Sequence, residues 1–121
     1  MLRVDYTEHK GRGVFAEKRY HQGELIERVP VAVLPNWQWY YVEKTILVDY
    51  CFLWGDEMAI PFGNVIFFNH SYTPNAMYVK KLEERVMEII ALKEIEMSEE
   101  IVVNYNGDPE DNTPLWFEVV D

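Results

Sequence analysis

Short apolar runs alternate with turn-forming residues along this chain, and no set of amphipathic helical stretches is present. Leu2–Asp5 reads as a first strand. Gly11-Arg12-Gly13 reads as a turn leading into Val14-Phe15-Ala16. Gly23 closes another turn before Leu25–Leu34, an apolar stretch that Pro30 is expected to break or bend. Asn36 is placed to cap one short helix running through Tyr41. Ile46–Trp54 is rich in β-formers and stops at Gly55-Asp56, Met58–Pro61 reads as a brief strand, and Asn64–Phe68 reads as a helical turn. Ala76–Lys81 and Val86–Leu92 form a predicted hairpin joined by Leu82–Arg85. Ile101–Tyr105 is the last predicted strand, ahead of the turn Asn106-Gly107-Asp108. The pattern predicts a mostly β fold with short helices.

A length of 121 residues fits one domain, and neither a linker nor an internal repeat divides it. Hydrophobic residues at 49% and aromatics at 15% supply a core and exclude a disordered chain. No stretch approaches the roughly 20 apolar residues that a membrane span needs. The start, MLRVDYTEHKGRG, has no apolar segment of the kind found in secretory signals. Cys51 is the single cysteine, which excludes an internal disulfide and any zinc site built on several cysteines. A reducing, intracellular compartment is therefore expected. Charge adds an asymmetry. Residues 1–60 carry 7 basic and 9 acidic side chains, net -2, whereas residues 61–121 carry 4 and 12, net -8. Such a surface repels phosphate backbones, arguing against direct nucleic-acid binding, and attracts a basic peptide; it also serves solubility alone.

Candidate chemistry is confined to a few segments. In "KGRGVFA", Lys10 to Ala16, glycines flanking Arg12 let a ligand approach bare backbone groups, although a lone Gly-x-Gly is more often just a turn. It is not a dinucleotide fingerprint, since no third glycine follows. "FFNHSYTPNAMY", Phe67 to Tyr78, sets polar turn-formers directly against aromatic residues. His9, His21 and His70 share no metal-ligand spacing. "DPEDNT" begins like a calcium loop at Asp108, but Thr113 and Val119 stand where glycine and glutamate are required. No metal is therefore expected. "SEEIVVNYNGD", Ser98 to Asp108, is by itself an edge strand and a turn.

Taken together and in order, "KGRGVFA", "NHSYTPNAMY" and "EEIVVNY" resemble the SET-domain protein lysine methyltransferases, in particular the small single-domain viral and bacterial type. "KGRGVFA" followed by "YHQGELI" is similar to the opening strand pair of that family, and "PLWFEVV", Pro114–Val120, to an aromatic tail that closes the site in some members. The resemblance covers nearly the whole chain. It implies a single SET domain over residues 1–121, a β-clip-like fold with a C-terminal pseudoknot, and residues 106–121 as the closing tail. It would bring residues 69–75 against 99–105. The sequence departs from the family pattern at Ser98, often glycine, and lacks the cysteine clusters of many members.

The resemblance also implies a reaction: methyl transfer from S-adenosylmethionine to the ε-amine of a lysine in a basic protein or peptide, histone-like in character, with a homodimer left open. Tyr105 would be catalytic. Tyr78 and, less directly, Tyr50 would line the substrate channel, with Tyr78 setting how many methyl groups are added. Cofactor contacts would come from Gly11, Arg12, Gly13, Asn69 and His70, the last chiefly through its backbone, with Trp116 against the adenine. The alternatives are a SET-like module that binds partners or senses the cofactor without turnover, and an acidic interaction domain of unrelated fold.

Overall fold

The structure is a computed structural model that describes residues 1–117 and 119. Its strands are β1 (Leu2–Tyr6), β2 (Arg12–Ala16), β3 (Leu25–Leu34), β4 (Phe52–Trp54), β5 (Glu57–Pro61), β6 (Asn69–His70), β7 (Ala76–Lys81), β8 (Val86–Ala91) and β9 (Glu100–Val103). One α-helix, α1 (Asn36–Val42), and 3₁₀ turns at Ile46–Tyr50 and Asn64–Phe67 complete it. The predicted class, mostly β with short helices, is observed.

The strands form two sheets. One runs β1-β2-β9-β6 and the other β4-β5-β3-β8-β7. Every pairing is antiparallel except β6 with β9, where Asn69 lies opposite Val102 and His70 opposite Val103. The apolar alternation decides which faces turn inward. On β8, Met87, Ile89 and Ala91 are buried, and on β9, Ile101 and Val103. These meet Val14 and Ala16 of β2, together with Phe68 and Val65, in one core.

Several local expectations are corrected. Pro30 does not interrupt β3, because it stands where that strand changes partners: Leu25–Pro30 pair with β8 and Val31–Leu34 with β5. Its carbonyl still accepts from the Phe62 N–H, and the adjacent Val31 N–H donates to Arg85 O. Asn36 is the first residue of α1 rather than its cap; Pro35 holds the cap position and no side chain caps the helix. Ile46–Tyr50 is 3₁₀ rather than strand, because Thr45 Oγ1 accepts from the Leu47 N–H and starts a turn that overrides β propensity. β9 ends at Val103, so Tyr105 lies in the following turn. β2 pairs with β1 and β9, not with the Leu25 strand, so the expected opening strand pair belongs to two sheets.

Candidate active site

The parallel pairing of β6 with β9 builds the centre of the molecule. Ser71 N–H donates to Val103 O and Asn75 N–H to Val102 O, which fastens residues 69–75 along 99–105 as expected. Asn75 is a buried bolt in that seam. Its Nδ2 donates to Glu99 Oε2 at 3.0 Å and to Glu100 O at 2.9 Å, while its Oδ1 accepts from the Val102 N–H at 2.9 Å. It stands within the NHSYTPNAMY motif, which gave it no separate role. His70 is buried beside it, and its Nδ1 accepts from the Tyr105 N–H at 2.9 Å. A neutral imidazole accepting there carries its proton on Nε2.

Tyr105 is thereby fixed at both ends, because its hydroxyl donates to Phe68 O at 2.6 Å. It borders a cavity of about 250 Å³. Val65, Phe68 and Phe52 supply apolar wall; Tyr50, Tyr78 and Trp116 also line it, with Asp49 and Lys80 at exposed positions. Tyr78 is buried, packs edge-on against Phe52 at 5.1 Å between ring centroids, and its hydroxyl has no hydrogen-bond partner among the described residues. Burial raises the phenol pKa of Tyr105 to about 12, with the Glu100 carboxylate adding to the effect. Burial and then the neighbouring Tyr105 push that of Tyr78 well above the usual value. Both shifts favour the neutral phenol.

The glycine turn forms a second group next to this cavity. Thr7 closes the turn, its N–H and Oγ1 both donating to Gly11 O. Gly11 takes φ +70°, a left-handed conformation that favours glycine. Gly13 is needed for close approach: a Cβ there would lie 2.6 Å from Glu100 Oε2 and 2.9 Å from Asn69 Nδ2. Asn69 Nδ2 donates to Arg12 O at 2.9 Å and to Glu100 Oε2 at 2.8 Å, which uses both amide protons. Glu100 Oε1 takes Lys10 Nζ at 2.9 Å. The Arg12 guanidinium lies over the Phe67 ring.

The sequence-predicted residues thus fall into two connected groups. Tyr50, Tyr78, Tyr105 and Trp116 share the cavity. Arg12, Gly13 and Asn69 meet around Glu100, with Gly11 at the start of the turn. His70 joins the groups through Tyr105. Tyr50 reaches the cavity from a 3₁₀ turn and is not a strand residue. Trp116 is 73% exposed and stacks on Tyr105, with rings 18° from parallel and 6.3 Å between centroids. Glu118 and Val120 of the aromatic tail lie outside the described residues. Lys10 and Glu100 stand within the KGRGVFA and EEIVVNY motifs without an assigned role, and Lys80 carried no sequence signal beyond its charge.

The SET domain family model matches residues 11–106, which spans both groups. The chain belongs to the SET domain family. A relative from Schizosaccharomyces pombe (strain 972 / ATCC 24843), named a histone-lysine N-methyltransferase specific for H3 lysine-37, is 31% identical over 119 residues, covering 97% of this chain and 77% of the relative. The crystal structure of a Plasmodium falciparum protein, assigned provisionally as a histone methyltransferase, superposes with a TM-score of 0.69 at 27% identity. It covers 86% of this chain and 91% of that one. The expected SET fold and the expected enzyme class, a protein-lysine methyltransferase, agree with these findings, and an unrelated acidic domain does not.

Proposed function

We propose that this SET domain, extending over residues 1–121, transfers a methyl group from S-adenosylmethionine to the ε-amine of a lysine in a basic, histone-like peptide. The observation that carries the proposal is the apolar cavity holding the Tyr78 and Tyr105 hydroxyls, the first buried and unpartnered. A buried hydroxyl left unpaired costs about 1–3 kcal/mol, and an amine entering the cavity would recover that.

The other group suits the cofactor. The Gly13 backbone is held bare beside Asn69, whose Oδ1 remains as an acceptor once both amide protons are used. Lys10 and Arg12 bring cationic groups for a carboxylate, and the exposed face of Trp116 offers stacking for a purine. When bound, the cofactor supplies an electrophilic methyl group on a sulfonium.

The chain's own residues do the rest. A lysine amine must be neutral to react, which costs roughly 4–5 kcal/mol at pH 7 against a reference pKa near 10.4. Val65, Phe68 and Phe52 exclude water and disfavour the ammonium. Tyr78 offers its hydroxyl to the neutral amine. Tyr105, anchored by Phe68 O and by His70, keeps one oxygen in place at the reacting end. The raised pKa of Tyr105 disfavours a tyrosinate base, so in this reading the amine loses its proton before transfer and Tyr105 serves through its hydroxyl.

Incubation with labelled S-adenosylmethionine and a panel of basic proteins, histones among them, tests this reading. Label on a lysine of a basic protein is expected. Label on no member, with no calorimetric heat for the cofactor, contradicts it.

A further inference from the structure

Lys80 lines the same cavity as Tyr78 and Tyr105. It stands two residues beyond Tyr78 on β7, so both side chains leave the same face of the strand. Tyr78 is buried, whereas Lys80 is exposed at the cavity mouth. Two residues of strand span about 6.6 Å. The flexible four-carbon stem of lysine has a comparable reach, enough to carry the amine towards Tyr78 if it folds back along β7. Among the described residues no carboxylate holds Lys80 outside, in contrast to Lys10 on Glu100 and Lys18 on Glu24. Partial desolvation lowers its ammonium pKa, which raises the fraction of nucleophilic amine.

We infer that Lys80 is a methyl acceptor within its own molecule, reaching from the cavity mouth into the lysine channel when no substrate lysine fills it. The inference rests on the methyltransferase reading above. In the step, the lone pair on neutral Nζ forms the new N–C bond to the methyl carbon of S-adenosylmethionine. The C–S bond breaks with its electron pair going to sulfur, which becomes a neutral thioether. The methylammonium so formed keeps its positive charge and can later lose a proton to water. Methylation adds bulk at the channel mouth without changing net charge.

The test has two readouts. The full chain is incubated with labelled S-adenosylmethionine alone, digested and analysed by mass spectrometry. Label on Lys80 is expected, with a rate constant unchanged on hundredfold dilution of the protein, and no label at that position in Lys80→Arg folded by the same melting criterion. The second readout needs no methyl donor. Lysines are tagged by reductive methylation with ¹³C-formaldehyde, and the Lys80 resonance is assigned by its loss in Lys80→Arg. It is expected to titrate below the usual lysine range and to move when n-butylamine, a mimic of the lysine side chain, is added. A labelled histone-tail peptide beside an unlabelled Lys80 overturns the inference and leaves the methyltransferase reading standing. A rate proportional to protein concentration overturns transfer within one molecule. A resonance indifferent to n-butylamine overturns the inward position, and label on neither acceptor overturns both readings.

Discussion

Two tyrosine hydroxyls in one cavity differ in how the protein holds them, and that difference can be measured. Tyr105 donates to Phe68 O, whereas Tyr78 has no partner among the described residues. Tyr105→Phe is expected to lower kcat about 100-fold, as removal of an oriented hydrogen-bonding group in a reaction site does, with cofactor affinity changed less than about twofold. Calorimetry beside a rate assay checks both parts. Tyr78→Phe removes an unsatisfied buried group, so it is expected to raise the melting temperature by a few degrees, from about 1 kcal/mol, while shifting products towards di- and trimethyl-lysine. A thermal melt and a mass-spectrometric time course on one peptide decide this; a lower melting temperature would mean that the hydroxyl has a structural task. The raised Tyr105 pKa has its own signature. A phenol whose folded pKa of about 12 exceeds its unfolded value near 10 contributes stability that is complete below pH 10 and lost as pH rises towards 12. The loss amounts to about 2–3 kcal/mol, and alkaline melting curves of Tyr105→Phe should lack that share. Tyr105, Tyr78 and Asn69 were legible because residue type, order and motif coincide. Lys80 was not, because a charged residue on a strand most often faces solvent, and only the sheet geometry sets it at the cavity.

Strands declared themselves where a single burial period ran without competition, as on β7, β8 and β9. Ile46–Tyr50 misled because its apolar content matches a strand, while the Thr45 hydroxyl supplies a local hydrogen bond that propensity does not weigh. The partners of β2 were also hidden, since no local pattern states which distant strand it meets. The turn before β9 carries a test of its own. Ser98, at the position where the family pattern often has glycine, is exposed and takes φ +73°. A left-handed conformation costs a residue with a Cβ about 1–2 kcal/mol, and the greater unfolded freedom of glycine returns part of this. Ser98→Gly is therefore expected to stabilise the fold by roughly 0.5–1 kcal/mol, read as a higher denaturant midpoint with an unchanged slope. A lower midpoint would show that the serine side chain compensates for the strain.

At the scale of the molecule, sequence order sufficed to anticipate the seam between residues 69–75 and 99–105, yet not the grouping of side chains around it. The pairings of β9 with β6 on one side and β2 on the other are long-range events, and together they bring the Asn-His segment and the glycine turn to one place. Charge acts at the same scale. Residues 61–121, with net charge -8, include Tyr78 and Tyr105, so their acidity would attract the proposed basic substrate. Exposed attraction is screened beyond about 10 Å at 0.1 M salt. Raising ionic strength is expected to raise KM severalfold while kcat changes little, and a KM indifferent to salt would return the acidity to solubility alone. The central claim is transfer of a methyl group to lysine at the Tyr78–Tyr105 cavity, and the most direct measurement follows labelled methyl from S-adenosylmethionine onto a histone-tail peptide, with the wild-type chain and Tyr105→Phe side by side at matched cofactor saturation. Label on lysine is expected with the wild type and about a hundredfold less with the variant; equal labelling by the two proteins, or none by the wild type across the histone tails, would contradict methyl transfer at this cavity.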